Sequence, residues 1–149
     1  MMKIVKESID FSRDSSDKLS SIGVGKIKMI ANWLDEQGIN NYTINNDLTI
    51  DVKGDVTFLE HLKKFPDFIQ FKTVTGFFDL QGVEIESLRG CPYECNDFSC
   101  SDNQKLGSLN YGPKIINNSL YMNGLPLIDI QEKEKYIKSM KFLYRWVRV

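Results

Sequence analysis

The chain has 149 residues, of which 42% are hydrophobic and 26% charged. This length and composition are typical of one globular domain that is large enough to bury a core. The net charge of −1 gives no overall electrostatic reason to expect nucleic acid or an acidic membrane as a partner. No segment approaches the ~20 apolar residues of a membrane helix. Three cysteines without a secretion signal favour a cytoplasmic location.

The first part of the chain is predicted to form an N-terminal cap. Residues 1–19 are expected to be a flexible tail, and residues 20–59 a helix followed by a β-hairpin. Apolar residues recur at helical spacing over residues 24–34, and Gly38 is a natural stop for that helix. Residues 42–52 alternate between apolar and polar on either side of a polar turn, which predicts the hairpin.

The middle of the chain contains a sequence repeat. Phe78 and Leu80 match Phe98 and Cys100 at an offset of 20 residues. After one inserted residue, further matches follow at an offset of 21 residues: Ile85, Ser87, Leu88 and Pro92 with Leu106, Ser108, Leu109 and Pro113. Each copy offers one short strand and a turn closed by Gly or Pro. One copy cannot bury its apolar edge alone, so the copies are expected to stack.

Two weaker copies flank this pair, so that residues 60–127 are predicted to be degenerate repeat coils. In the preceding copy, Leu62 and Pro66 are the expected counterparts of Leu88 and Pro92. The following copy is truncated, and its apolar positions match the strand of the copy before it: Leu120 with Phe98 and Met122 with Cys100. A period of about 20–29 residues with an L-x-x-L element is the spacing of leucine-rich-repeat solenoids.

The last part of the chain, residues 128–149, is predicted to be a C-terminal cap helix. Four apolar residues fall on one helical stripe: Ile137, Met140, Tyr144 and Val147. A terminal amphipathic helix would cover the last open edge of a short solenoid. The predicted fold class is therefore α+β, a short leucine-rich-repeat-like solenoid with an N-terminal helix and hairpin cap and a C-terminal amphipathic helix.

The residues also resemble a known family. The phrases "SLRGCP", "DFSCSDNQKLGSL" and "LYMNGLPL", together with the segment "IKMIANWLDEQGINNYTINNDLTIDVKGDV", are similar to the leucine-rich-repeat-like proteins of large T-even-type bacteriophages. The resemblance extends over residues 20–127 and implies fold far more than activity, because most of that family is uncharacterised. This chain has fewer repeats, and "NYGPK" stands where the family has "GCP". The resemblance therefore implies a compact variant dominated by its caps.

The three cysteines, Cys91, Cys95 and Cys100, suggest two alternatives. Three thiolates with the single histidine, His61, could form a Cys3His zinc site, although the paired C-x-x-C knuckles of such sites are absent. Alternatively, the cysteines fill core positions of the repeat, because Cys100 aligns with an inward-facing leucine. We favour the core interpretation and predict no metal or other cofactor. Cys100 is then replaceable by Val or Ala at a cost of roughly 1–3 kcal/mol.

A glycine pair suggests a nucleic-acid site as the alternative function. The segment "GVGK" precedes an apolar helix, but it lacks the spacing of a phosphate-binding P-loop. It is closer to a helix-hairpin-helix turn, which presents backbone amides to DNA phosphate. In this hypothesis Gly23, Gly25, Lys26 and Lys28 are the binding residues. The simpler interpretation is that the glycines allow a tight backbone turn at the N-terminus of a helix. The net charge makes nucleic acid an unfavoured partner.

The favoured function is a non-enzymatic protein-binding module, because no recognisable nucleophile, base and acid spacing is present. Residues 79–103 contain six acidic residues and one basic residue, Arg89. Together the acidic residues could form a face for a basic partner: Asp79, Glu84, Glu86, Glu94, Asp97 and Asp102. The C-terminal segment adds residue types common at interfaces: Tyr144, Arg145 and Trp146. If the phage resemblance holds, the partner is a host protein that the chain modulates or inhibits.

Overall fold

The structure, a computed structural model, describes residues 3–5, 21–142 and 146–149. It shows a small mixed-sheet solenoid of about three turns with two helices. The elements in chain order are β1 (Lys3–Val5), α1 (Ser21–Glu36), β2 (Tyr42–Asn45), β3 (Ile50–Val52), β4 (Phe71–Asp79), β5 (Glu94–Ser99), β6 (Ile115–Tyr121), α2 (Ile130–Ser139), β7 (Lys141–Phe142) and β8 (Trp146–Arg148). The strands form one sheet in the order β1 to β7, and β8 also pairs with β6.

The N-terminal part contains the expected helix and hairpin. The apolar stripe of α1 is buried against the core, with Ile30 and Leu34 fully inaccessible to solvent. The helix ends before Gly38, which adopts a φ of +74° that favours glycine. Strands β2 and β3 then pair antiparallel. The apolar spacing of this region was sufficient to predict both elements, because each has one face on the core.

The segment that was expected to be a flexible tail contains a strand. Residues Lys3–Val5 form β1, which pairs antiparallel with β2 and extends the hairpin by one strand. The rest of the predicted tail lies outside the described residues. The run Ile4-Val5 is short but β-branched, and such residues favour a strand wherever a neighbouring backbone edge is available.

The repeat is confirmed by the parallel ladder of β4, β5 and β6. Phe78 pairs with Phe98, and Phe98 pairs with Leu120, at the registers that the aligned copies predict. The residues that follow these strands are equivalent in the same way and are also fully buried: Leu80, Cys100 and Met122. Equivalent residues of successive copies therefore form continuous inward rows, and each coil is buried by its neighbours.

One buried amide joins the two central coils behind the ladder. The Asn103 side chain is fully buried, and its Oδ1 accepts from the backbone N–H groups of Glu84 at 2.8 Å and Ile85 at 2.9 Å. Its Nδ2 donates to the carbonyls of Leu80 at 2.9 Å and Cys100 at 2.8 Å. These bonds satisfy backbone groups of both coils where no regular secondary structure does so.

The first coil has a different register from the predicted one. The Leu62 N–H donates to the Val83 carbonyl at 3.1 Å, and the Glu86 N–H donates to the Lys63 carbonyl at 2.7 Å. Leu62 therefore lies beside Val83 and not beside Leu88, so its predicted match with Leu88, and that of Pro66 with Pro92, is wrong. Several apolar residues lie close together in this copy, so its leucine and proline alone do not fix the alignment.

The C-terminal helix is shorter than predicted. Helix α2 ends at Ser139, and Met140 is extended with φ −108° and ψ 164°. Strands β7 and β8 follow and pair parallel with β6. The predicted helix over residues 128–149 is thus wrong for residues 141–142 and 146–148, and residues 143–145 lie outside the described residues. The terminal segment is rich in Phe, Trp and Val, which favour strands, and the open edge of β6 supplies backbone partners that a helix would leave unused.

Candidate functional site

The face of the parallel ladder that points away from the core is the candidate site. We call it the outer face and define it by the strand residues that alternate with the inward rows: Thr73, Phe77, Asp79, Glu94, Asp97, Ser99, Ile115, Ser119, Tyr121, Trp146 and Arg148. Because the strands are parallel and in register, equivalent residues lie side by side in rows across the sheet. The outer face therefore presents side chains from four successive coils together.

Two aromatic rings dominate the centre of the outer face. The rings of Phe77 and Tyr121 lie nearly parallel, with an interplanar angle of 16° and centroids 6.1 Å apart. They belong to β4 and β6, so they flank the intervening strand β5, where Ser99 is buried. Both rings and Arg148 line a shallow cleft of about 310 Å³. A rigid aromatic pair beside an arginine is the kind of surface that anchors protein partners.

Three of the six predicted acidic residues lie on the outer face: Asp79, Glu94 and Asp97. The Asp97 carboxylate is held from several sides, since it accepts from Asn96 Nδ2 at 3.0 Å, from Asn118 Nδ2 at 2.8 Å and from the Ser119 hydroxyl. Glu94 accepts from Asn117 Nδ2 at 3.2 Å. Neighbouring coils thus fix the positions of these two carboxylates, which leaves fewer side-chain conformations to be lost when a partner binds.

The other three predicted acids, Glu84, Glu86 and Asp102, lie on the loops that follow the strands. They line a separate cleft of about 430 Å³ that also contains His61, Lys63 and Lys105. The His61 Nδ1 lies 2.7 Å from Glu84 Oε1, and both side chains are well exposed. The structure therefore divides the predicted acidic face into two groups, and the loop group is mixed with basic side chains.

The predicted aromatic and basic residues of the C-terminus are only partly described. Tyr144 and Arg145 lie outside the described residues. Trp146 is on strand β8 instead of the predicted helix, and its exposed fraction is 70%. It shares a row of the outer face with Phe77 and Asp97. The structure thus brings Trp146 to the same face as three of the predicted acids, although on a different element.

The glycine turn of the nucleic-acid hypothesis is not formed. Gly23, Gly25, Lys26 and Lys28 all lie within α1, which begins at Ser21 and continues without interruption to Glu36. A β-carbon added to Gly25 would meet no atom within 4 Å, so no close backbone approach requires a glycine there. The prediction of a helix-hairpin-helix turn at these residues is therefore wrong. Beyond its first turn, this helix uses its backbone amides for its own hydrogen bonds, so Gly25, Lys26 and Lys28 do not present them to phosphate as such a turn would.

The three cysteines are all buried and unpaired. Burial raises the pKa of Cys91 and of Cys95, and it raises the pKa of Cys100 to about 12. The thiols are therefore neutral near pH 7, as expected of buried cysteines that pack as apolar residues. His61 is exposed and paired with Glu84, whereas the three thiols are buried. In the part of the chain that the structure describes, no group of three or more His, Cys, Asp or Glu side chains could hold a metal ion.

Sequence reasoning missed the ring pair and the arginine that carry the argument for the outer face: Phe77, Tyr121 and Arg148. A signal for the first two was present, because each is adjacent in sequence to a repeat residue that was placed inward, and strand alternation turns neighbours to opposite faces. Arg148 had no such signal, because its strand was not predicted. Asn103 was missed for another reason. A buried asparagine is indistinguishable in sequence from the exposed asparagines of a turn.

The chain was compared with models of protein families, with curated proteins and with solved structures, and none of them matches it. Among the described residues, no helix is long and apolar enough to cross a membrane. We therefore infer the function from the chemistry of the outer face.

Proposed function

We propose that this chain is a non-enzymatic protein-interaction module that binds its partner through the outer face. The observation that carries the proposal is the parallel Phe77 and Tyr121 ring pair beside Arg148, on the exposed surface of a sheet whose opposite side forms the core. Aromatic and arginine side chains are enriched among the residues that dominate binding energy. The neighbouring carboxylates of Asp79, Glu94 and Asp97 favour a partner with basic groups.

The repeat character supports the same proposal. Solenoids display equivalent residues of successive coils on one continuous surface, and that surface is their usual binding site. We further propose that the fold is a compact leucine-rich-repeat-like solenoid, and that the chain acts in the cytoplasm of a bacterial host. The resemblance to leucine-rich-repeat-like phage proteins supports this part. In that setting a binding module would modulate or inhibit a host protein, a defence protein being one candidate class.

The proposal is tested by affinity capture from a bacterial lysate with matched variants. Tyr121→Ser removes one ring of the pair and leaves the inward rows intact. Tyr93→Ser is the control, because Tyr93 is an equally large residue that is 58% exposed on a loop before β5. We expect the wild type and the control to capture the same protein in stoichiometric amount, and Tyr121→Ser to lose most of it. Equal capture by both variants would exclude the outer face as the binding site.

A further inference from the structure

In the part of the chain that the structure describes, the parallel ladder ends at β8, and the far edge of this strand is open. Within the described residues β8 pairs only with β6. Val147 continues the inward row of Phe98 and Leu120, yet it is 38% exposed where those two are fully buried. Edge strands with exposed apolar residues are templates for pairing with another strand. The end of the solenoid is therefore a surface that still has apolar area and backbone groups to bury.

The direction of the backbone groups on β8 follows from one hydrogen bond. The Met122 N–H donates to the Arg148 carbonyl at 2.6 Å, so the backbone of Arg148 is directed towards β6. Successive residues of a strand direct their backbone groups to opposite sides. The N–H and C=O of Val147 are consequently directed away from β6, towards the open edge. One donor and one acceptor of the same residue are thus available there.

We propose that two copies of this chain form a symmetric dimer through antiparallel pairing of β8 with β8 of the partner copy. With the two-fold axis at Val147, the N–H of each Val147 donates to the carbonyl of the other. This is the hydrogen-bonded type of antiparallel pair, with Cα atoms about 5.5 Å apart. The two Val147 side chains then cover each other on the core side. A two-fold axis also closes the assembly at two copies, whereas a head-to-tail contact would not.

The side chains on the outer face make this pairing self-complementary. In the same register Trp146 of one copy lies opposite Arg148 of the other, twice. These are non-hydrogen-bonded positions, where the Cα atoms approach to about 4.5 Å and the side chains are closest. An arginine over an indole ring is a favourable cation–π contact. The segment Trp146–Arg148 therefore matches its own reverse, which favours a second copy of this chain over an unrelated strand.

The dimer is tested by sedimentation of the full chain over a range of concentrations. The interface has only three residues per strand, and small interfaces are weak, so we expect association between about 0.1 and 1 mM. Val147→Pro deletes the outward N–H but none of the bonds to β6, because a proline is tolerated where its missing donor faces away from the ladder. We expect this variant to remain monomeric while its melting temperature stays close to that of the wild type.

Exchanging the two facing residues distinguishes a loss of dimerisation from a loss of folding. Trp146→Arg places two arginines opposite each other, and we expect it to weaken the dimer by about tenfold or more. The double variant W146R/R148W restores one arginine and one tryptophan at each facing position, so we expect it to recover the wild-type association. A wild type that stays monomeric to about 1 mM, a dimer that survives Val147→Pro, or a swap without recovery would each overturn the proposal.

This proposal concerns the open edge of β8 and can fail separately from the proposed function, although Trp146 and Arg148 belong to both surfaces. Tyr121→Ser lies one strand away from the edge, so it should abolish capture of a host protein and leave self-association unchanged. Val147→Pro should have the opposite effect. Because each variant tests one surface, failure of either proposal can be distinguished from failure of the other.

Discussion

The middle of the ladder and its C-terminal end follow the same pattern but differ in burial. In the middle, Phe98 lies between Phe78 and Leu120 of the adjacent coils and is completely buried. At the end, Val147 occupies the equivalent row, and among the described strands it has a neighbour on one side only; 38% of it is exposed. The comparison shows that a coil of this fold does not bury its own inward residues. Burial is completed by the next coil.

We expect the largest effect from truncating one inward residue in each region. Phe98→Ala removes a ring from the closed middle, and we expect it to lower the free energy of unfolding by about 3–5 kcal/mol. Val147→Ala removes two methyl groups from a half-open position, and we expect a loss below about 1 kcal/mol. Urea denaturation of both variants measures the difference. Similar losses in the two variants would contradict the dependence of burial on the next coil.

A second test concerns the polar bonds that join the two central coils. Asn103→Ala leaves two backbone N–H groups without this acceptor and removes a donor from three carbonyls, of which that of Leu80 keeps the Val83 N–H. We expect the free energy of unfolding to fall by about 2–4 kcal/mol. Asn110→Ala is the matched control, because Asn110 is an exposed residue of a turn, and surface changes usually cost less than about 0.5 kcal/mol. A small effect of Asn103→Ala, measured by chemical denaturation, would show that the apolar rows alone hold the coils together.

The buried thiols of the middle predict a loss of stability at alkaline pH. Burial raises the pKa of Cys100 to about 12, whereas the thiol of the unfolded chain has a pKa near 8.5. Between these values the folded chain holds a proton that the unfolded chain releases, so rising pH favours unfolding. We expect this one thiol to cost up to about 1.4 kcal/mol per pH unit above about pH 9. Cys100→Ala should show a shallower decline when melting is followed from pH 8 to about pH 10.5.

The smallest expected effect is that of a chelator. If the cysteines act as apolar residues of the closed middle, EDTA should leave the melting temperature unchanged, because metal that supports a fold contributes directly to its stability. Elemental analysis of the purified chain provides the independent measurement. One equivalent of zinc, or a chelator-induced loss of the fold, would restore the zinc hypothesis for Cys91, Cys95 and Cys100.

The elements that could be predicted from sequence are those with one buried face, because their apolar residues then recur at a regular spacing. The stripe of α1, the alternation of β2 and β3, and the match of Phe78 with Phe98 each depend on spacing alone. The register of the first coil could not be obtained in this way, because that copy has several apolar residues close together and few positions in common with the later copies. The outer face was found only in part, since its acids were visible in composition while Phe77 and Tyr121 were not.

The sequence by itself determined the repeat, because the apolar positions of successive copies must coincide before any coil can be buried. It could not determine the end of the chain. The stripe that includes Met140 and Val147 has helical spacing, and the same residues are good strand formers. Only the tertiary structure decided between them, because the unpaired edge of β6 exists only once the preceding coils have stacked. Its backbone groups bind the terminal segment as strands β7 and β8, and this local choice brings Trp146 and Arg148 to the outer face.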